Sequence, residues 1–182
     1  MPTKPPTWTQ LKQQLSHYEQ PELLRLLQEL YQLNTDNKLF LAARLSQANP
    51  SELAEPYRKA IRAELNPPRG VPRLNLRAAR KAINDFKKAC ADPAAVADLM
   101  IFYVEQGVIC TNTYGDIDER FYASLESVYA EAINVITQAN DPVMAEYFRP
   151  RMHQIVYDTS DIGWGFHDEL SQLYAEEYPP AE

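Results

Sequence analysis

The segment LRAARKAINDFKKACADPAAVADLMIFYVEQG, residues 76–107, decides the fold class, because it holds two helical patterns in succession. At about 100° per residue, its first half separates a cationic side from an apolar side, the latter formed by Ala79, Ala82, Ile83, Phe86 and Cys90. In the second half apolar residues surround the helix, so that helix should run through the core. We predict that it begins at Pro93, is capped by Asp92 and ends at Gly107, which makes it too short to span a membrane.

The same start and stop signals recur along the rest of the chain. A helix rich in regularly spaced leucines is predicted from Pro21, and further helices should begin near Thr35, Ser51, Asp116 and Asp141. Pro150 should kink or interrupt the last of these. The predicted fold is therefore all-α, with antiparallel helical hairpins stacked into a compact bundle or a short solenoid-like array.

A proline-rich stretch divides the chain. NPPRGVPRL, residues 66–74, has prolines at positions 67, 68 and 72, which remove amide donors and bias the residues before them away from helix. We predict an N-terminal helical segment at residues 1–65, an extended connector at 66–74 and a main helical domain at 75–182. Because 182 residues is an ordinary size for one domain, we expect these parts to pack as one globular unit.

Charge is distributed unevenly along the sequence. Residues 58–88 hold ten of the 18 Lys and Arg and only two acids, a net charge of +8, whereas residues 89–182 carry a net −14 and the whole chain −7. Such segregation shapes surface fields and the choice of partners rather than the fold. Two interpretations stay open: the basic face is available to a partner, or acids of the later half neutralise it within the fold.

Several features of the sequence limit the possible location and chemistry of the protein. The first residues lack the apolar stretch of a secretory signal, and no run approaches the ~20 apolar residues of a membrane span. Cys90 and Cys110 form no CxxC pair and sit beside apolar residues, as reduced buried thiols do. A cytoplasmic protein without membrane association is therefore predicted. No phosphate-binding or dinucleotide motif occurs, so no cofactor is expected.

One polar turn, TNTYGDIDERF at residues 111–121, has two interpretations. In the first, it starts a helix, with Asp116 as N-cap and Glu119 completing a reciprocal cap. In the second, its carboxylates hold Mg²⁺ or Ca²⁺. Capping explains most of the polar residues, so no metal site and no catalytic residue is assigned. The candidate pocket residues are Asp98, Asn112, Tyr114, Asp116, Asp118, Trp164 and His167.

A second polar turn, DTSDIGWGFHDEL at residues 158–170, matches the calcium-loop template only in part, because an isoleucine occupies a ligand position. Gly163 and Gly165 flank Trp164, which predicts a tight turn that docks the indole and Phe166 against neighbouring helices. His167 follows and could act as a general base, although a surface or capping role is commoner for an isolated histidine at a helix start.

Asp98 stands out because it lies within the apolar core helix. A carboxylate in such surroundings costs several kcal/mol unless it is paired. The preceding helix is rich in cations, so we predict an ion pair with Arg80 or Lys81.

Three longer segments, RLNLRAARKAINDFKKA, ADLMIFYVEQGVICTNTYGDIDERFYASLES and DTSDIGWGFHDELSQLY, together resemble an uncharacterised bacterial all-helical domain family. The resemblance spans roughly residues 10–178 and is firmest from Arg73 onward. It implies a small bacterial helical protein with no assigned activity, and it implies that the two polar turns lie near each other.

The leading functional hypothesis is a protein-interaction module without enzymatic activity. Its basic face would bind an acidic protein partner or a second copy of the chain; the face comprises Arg73, Arg77, Arg80, Lys81 and Lys88. One alternative is nucleic-acid binding by the same face, although the net charge of −7 weighs against it. The other is a metal-dependent or acid/base hydrolase built from the turns at 111–119 and 158–169.

Overall fold

The structure, a computed structural model, describes residues 5–45 and 50–179. The described residues form nine α-helices and no strand, so the fold is all-α as predicted. The helices are α1 (Trp8–Leu15), α2 (Gln20–Leu33), α3 (Thr35–Leu45), α4 (Pro50–Leu65), α5 (Leu76–Ala89), α6 (Pro93–Tyr114), α7 (Glu119–Ala139), α8 (Pro142–Asp158) and α9 (Phe166–Glu177).

The core is built around α6, which packs against α4, α5, α7 and α8. Apolar residues occur on every side of α6, and Leu99, Met100 and Tyr103 are fully buried. Burial of a large apolar side chain contributes about 1.5–3 kcal/mol relative to exposure. The central position of α6 therefore follows from its composition, as the sequence predicted.

The predicted end of α6 at Gly107 is wrong, because the helix continues to Tyr114. Gly107 lies inside the helix, where a Cβ atom would stand 2.3 Å from Cδ2 of Leu125 on α7, so glycine permits close packing rather than a helix end. The actual end is Gly115, whose φ of +87° suits glycine and whose N–H donates to the carbonyl of Thr111 at 2.8 Å.

The observed length of α6 changes how it compares with the length needed to span a membrane. At 22 residues, α6 is long and apolar enough to cross a bilayer, contrary to the shorter prediction, but 78% of its most apolar window is buried inside the bundle. It therefore occupies the position of a core helix within the bundle.

The start of α7 differs from prediction, and α8 is not interrupted at Pro150. Helix α7 is capped by Asp118 rather than Asp116, since Oδ1 of Asp118 accepts from the N–H of Phe121 at 2.8 Å. Helix α8 runs through Pro150 without interruption. The carbonyl four residues earlier, on Glu146, belongs to an exposed residue, so water can satisfy the acceptor that proline leaves unpaired.

Residues 66–75 lie outside the helices, with bends at 66 and 68–70, and join two packed helices, α4 and α5. The N–H of Leu74 donates to the carbonyl of Glu64 at 3.0 Å, which ties the end of the connector to the end of α4. Helix α4 shares the core with the helices that follow, through Tyr57, Ile61 and Leu65.

The change in burial falls earlier, between α3 and α4. None of α1, α2 and α3 has a buried residue, whereas every helix from α4 to α9 has at least two. Helix α2 packs on α3, and α3 packs on α4 and α5. Helices α4–α9 therefore form the closed body of the protein, and α2–α3 form a hairpin attached to its side.

Candidate functional site

Four of the five residues of the basic face lie on α5, and the fifth, Arg73, lies in the connector just before it. Oδ1 of Asn75 accepts from the N–H of Ala78 at 3.1 Å and caps the helix start. Its apolar side is buried, with Ile83 and Phe86 in the core, so the opposite side and its cations point outward. A shallow groove of about 630 Å³ follows this outer side, lined by Asn75, Arg77, Ala78, Arg80, Lys81, Asn84, Asp85 and Lys88.

Most cations of this face already contact an acid. Nζ of Lys81 lies 2.9 Å from a carboxylate oxygen of Asp36 on α3 and also pairs with Asp85 on its own helix. Nζ of Lys88 lies 3.8 Å from the same Asp85. The guanidinium of Arg73 lies 2.5 Å from Glu64.

These partners are not the acids of the later half of the chain, which the second interpretation of the charge distribution requires. Of the 17 acids beyond residue 88, Glu131 on α7 is the one that pairs with a cation of α5, Lys87, within the described ranges. The other pairs use acids of α3, α4 and α5 itself. The acidic later half of the chain therefore neutralises little of the basic face.

The pKa of Lys81 is raised above its usual value, first by its hydrogen bond to Asp85 and then by the one to Asp36. Both ends of the Lys81–Asp36 pair are exposed, at 60% and 66% of the side chain, and exposed pairs contribute about 0–1 kcal/mol. The ammonium group is therefore always charged near neutral pH, and a competing carboxylate can reach it.

Two cations of the groove have no acidic partner within residues 5–45 and 50–179. Arg77 is exposed and makes no ion pair there, and Arg80 is half-buried and donates to the carbonyl of Ser124 at 3.5 Å. The groove thus contains four cations and one acid among its lining residues. This net positive charge is what remains available to a partner.

Asp98 is paired, but not with Arg80 or Lys81 as predicted. Its carboxylate contacts Arg58 of α4 and, at 2.5 Å, Arg151 of α8. The prediction failed because Asp98 lies on the side of α6 that faces α4 and α8. Arg58 and Arg151 had no distinguishing sequence signal, apart from Arg151 being one of only three cations beyond residue 88.

Arg151 joins Asp98 to a second acid, Glu105, two turns further along α6. Its Nε lies 2.9 Å and its Nη2 3.0 Å from the two oxygens of Glu105, a bidentate pair. Burial opposes the charge of Arg151, but hydrogen bonds to Glu105 and Asp98 raise its pKa above the usual value. The network holds α4, α6 and α8 in register.

A second cleft, of about 280 Å³, lies between α6 and α8 beside this network. Its polar groups bond to one another: Nδ2 of Asn112 donates to the carbonyl of Asp158 at 2.9 Å, and Gln154 donates to the carboxylate of Asp158 at 2.7 Å. These polar side chains of the cleft are therefore already hydrogen-bonded to one another, which argues against a ligand site there.

The two polar turns lie side by side, as the resemblance implied. Asn112 contacts Asp158, and the rings of Tyr122 and Phe166 pack with centroids 5.1 Å apart. The space between them is filled, since Tyr122 and Phe166 are both buried. The hydroxyl of Tyr122 donates to the carboxylate of Asp116 at 3.2 Å, which gives Asp116 a structural role.

The predicted docking of the Trp164 indole against neighbouring helices is wrong, because Trp164 is 62% exposed. Trp164 and Gly165 both adopt positive φ, so the tight turn is present, but it directs only Phe166 into the core. His167 is half-buried and its Nδ1 lies 3.0 Å from the hydroxyl of Thr159; among the residues that the structure describes, no acid pairs with it.

The candidate pocket residues do not converge on one site. Asp98 and Tyr114 lie on the same straight helix, roughly 24 Å apart at 1.5 Å per residue, and Tyr114 bonds instead to the carbonyl of Gly70 in the connector at 3.4 Å. Asp118 is occupied as a helix cap. Within the described ranges, no three His, Cys, Asp or Glu side chains are placed to hold a metal ion.

The model of a family of unknown function, DUF6155, matches residues 7–177, nearly the whole chain. The chain belongs to this family. No curated protein and no solved structure is significantly similar to it. Membership in DUF6155 confirms the resemblance to an uncharacterised domain family, and the match includes α1–α3 as well as the closed body, so the N-terminal helices are part of the family's domain.

Proposed function

We propose that the protein is a helical interaction module that binds an acidic segment of a partner along the α5 groove. The observation that carries this proposal is the composition of the groove: Arg77, Arg80, Lys81 and Lys88 line it together with a single acid, Asp85. Two asparagines add neutral donors and acceptors. An extended or helical segment with carboxylates at regular spacing fits such a surface.

The intramolecular ion pairs leave the groove able to bind. Lys81 and Lys88 share the half-buried Asp85, but both lysine side chains are exposed, so a competing carboxylate can reach them. The Lys81–Asp36 pair is exposed at both ends and contributes little to stability. Arg77 can bind a carboxylate through two parallel hydrogen bonds. We expect binding to weaken with salt, because exposed charges are screened over about 10 Å at 0.1 M.

Nucleic acid is the alternative ligand for the same groove. Against it stand the net charge of −7 and the position of Asp36 and Asp85 among the cations. Phosphate backbones require several unopposed cations. A cytoplasmic location and a bacterial source complete the proposal, the first supported by the buried free thiols of Cys90 and Cys110.

The test is titration of the full chain with a fluorescently labelled Asp/Glu-rich peptide, at about 50 and 300 mM salt. Arg77→Glu should weaken binding at least tenfold, since it removes an exposed cation that has no acidic partner in the described residues and adds a repelling charge. The matched control is Arg120→Glu, an exposed arginine at the start of α7 outside the groove. Equal losses for both variants would reject the groove, and tighter binding of labelled single-stranded or duplex DNA would favour the alternative.

A further inference from the structure

A small apolar groove lies between α2 and α3. It is lined by Leu27 and Leu30 of α2 and by Asn37, Phe40 and Leu41 of α3, and its volume is about 190 Å³. Leu27, Leu30 and Phe40 are 44%, 43% and 42% exposed. An apolar cavity of about 150 Å³ holds a benzene ring. This α2–α3 groove therefore has room for one leucine or phenylalanine side chain.

Hydrogen bonds hold the walls of the α2–α3 groove in place. Nδ2 of Asn37 on α3 donates to the carbonyl of Leu30 on α2 at 2.6 Å. The N–H of Asn37 also donates to Oδ1 of Asn34, the residue between the two helices, at 2.8 Å. Because these bonds fix α3 against α2, the groove is formed before anything binds, and this lowers the free-energy cost of association.

Helix α3 separates the α2–α3 groove from the α5 groove. Asp36, Phe40 and Arg44 recur at every fourth residue of α3, so their side chains follow one side of the helix. At the ends of this stripe, Asp36 lies 2.9 Å from Nζ of Lys81, and Nη2 of Arg44 donates to the carbonyl of Lys88 at 3.0 Å. Lys81 and Lys88 line the α5 groove, whereas Phe40 lines the α2–α3 groove. The two grooves are therefore neighbours, with one side of α3 between them.

Cations border the apolar residues of the hairpin. The guanidinium of Arg44 lies over the ring of Phe40, 5.7 Å from its centroid, and the ammonium of Lys38 lies over the ring of Tyr31 at 5.6 Å. Neither cation pairs with an acid within residues 5–45 and 50–179. An apolar groove beside such cations suits an apolar side chain whose neighbours carry carboxylates. These charges have the same sign as the net charge of the α5 groove, so one acidic segment can contact both.

The distance between the two grooves sets the pattern of such a segment. Packed helices lie about 8–10 Å apart, and an extended chain covers about 3.3 Å per residue, so about three or four residues cross α3. We propose that the acidic segment bound in the α5 groove carries a leucine or phenylalanine about four residues beyond its carboxylates, and that this side chain inserts into the α2–α3 groove. The insertion depends on the proposed function of the α5 groove, and it adds a requirement that other acidic segments do not meet.

The test compares two fluorescently labelled peptides on the full chain. Both consist of alternating Glu and Ser followed by a short Ser tail; one tail ends in Leu, about four residues after the last Glu, and the other ends in Ser. In titrations at about 50 and 300 mM salt, the Leu peptide should bind at least about tenfold more tightly than the Ser peptide at both salt concentrations. The preference should persist because salt does not screen the burial of an apolar side chain, whereas the affinity of both peptides should fall with salt.

Phe40→Ser removes an apolar wall of the α2–α3 groove without adding a charge. This variant should bind both peptides with the affinity that wild type has for the Ser peptide. The matched control is Tyr147→Ser, which alters an aromatic side chain on α8 that is 70% exposed and lies outside both grooves. This control should keep the preference for the Leu peptide. A preference that survives Phe40→Ser, or that is lost in Tyr147→Ser, would overturn the insertion.

A cross-linking measurement on the wild type keeps the test decisive if Phe40→Ser loses helix. With a photoreactive diazirine analogue of leucine at the end of the tail, mass spectrometry should locate the cross-link in α2 or α3, at residues that line the groove. Cross-links confined to other helices would overturn the insertion.

The peptide titrations also distinguish failure of the insertion from failure of the proposed function. If wild type binds both peptides equally and binding weakens with salt, the insertion is wrong and the α5 groove remains the binding surface. If neither peptide binds, the proposed function is wrong, and the insertion is wrong with it.

Discussion

The α2–α3 hairpin and the closed body α4–α9 both contain helices with regularly spaced apolar residues, but they bury those residues to different extents. In the body, α6 supplies a partner for every apolar side, and residues such as Leu99 and Phe86 are fully buried. In the hairpin, leucines at equally regular spacing remain exposed. Regular spacing of apolar residues therefore identifies a helix face that is suited to packing. It does not specify whether another helix of the same chain packs on that face.

The sharpest comparison replaces one leucine by alanine in each region. Leu99→Ala in α6 should cost about 2–5 kcal/mol of unfolding free energy, since it opens a cavity in a packed core. Leu24→Ala in α2 should cost less than about 1 kcal/mol, because the side chain is already 59% exposed. Urea unfolding at low protein concentration measures both. Similar costs would contradict the division into two regions.

The ion pairs offer a second comparison. Asp98→Asn leaves Arg58 and Arg151 without their half-buried acid and should cost about 2 kcal/mol. Asp36→Asn removes the exposed partner of Lys81 and should cost no more than about 1 kcal/mol. Thermal unfolding of both variants at low and high salt compares them, and only the Asp36 effect should fade with salt. If high salt reduced the stability loss of Asp98→Asn as much as that of Asp36→Asn, the ion pairs of Asp98 with Arg58 and Arg151 would have to be exposed to solvent.

Close helix packing is tested at glycine positions. Gly107→Ala places a Cβ atom against Leu125 and should cost about 1 kcal/mol net, since the clash outweighs the gain in helix propensity. Gly163→Ala meets no neighbouring atom within 4 Å and serves as the control. A stabilised Gly107→Ala variant would show that α6 and α7 can separate without loss.

The smallest expected effect depends on pH. Burial raises the pKa of Glu126 on α7, and the nearby charge of Glu169 raises it further. An acid whose folded-state pKa is raised stabilises the fold below its unfolded pKa of about 4.3, and this contribution is lost as pH rises through the folded value. Glu126→Gln should therefore increase stability at pH 7, by no more than about 1 kcal/mol, and should lose that advantage at pH 4. A uniform change at both pH values would assign the effect to packing.

The sequence predicted the elements that depend on local chemistry. The Asp92 and Asp141 caps, the amphipathic α5 and the break between helices at 66–74 all follow from residues close in the chain, and all are present. It failed where the reason is a distant contact. The local pattern around Gly107 predicts a helix end, because the close approach of Leu125 depends on how α7 packs on α6.

The candidate site shows the same limit. The cations of α5 were placed correctly on its outer side, but the acids that pair with them come from positions that charge counts could not select. Asp98 was recognised as a group that needs a partner. Its partners, Arg58 and Arg151, are 40 and 53 residues away and depend on how α4 and α8 pack on α6.

Native-state hydrogen exchange at the lowest workable protein concentration tests the central claim most directly. If α4–α9 form the closed body and α2–α3 an open face, the amides of α6 should exchange only through global unfolding. Those of α2 should exchange at least 100-fold faster in the monomer. Equal protection of α2 and α6 in the dilute monomer would contradict the account, because it would mean that the chain itself covers the hairpin.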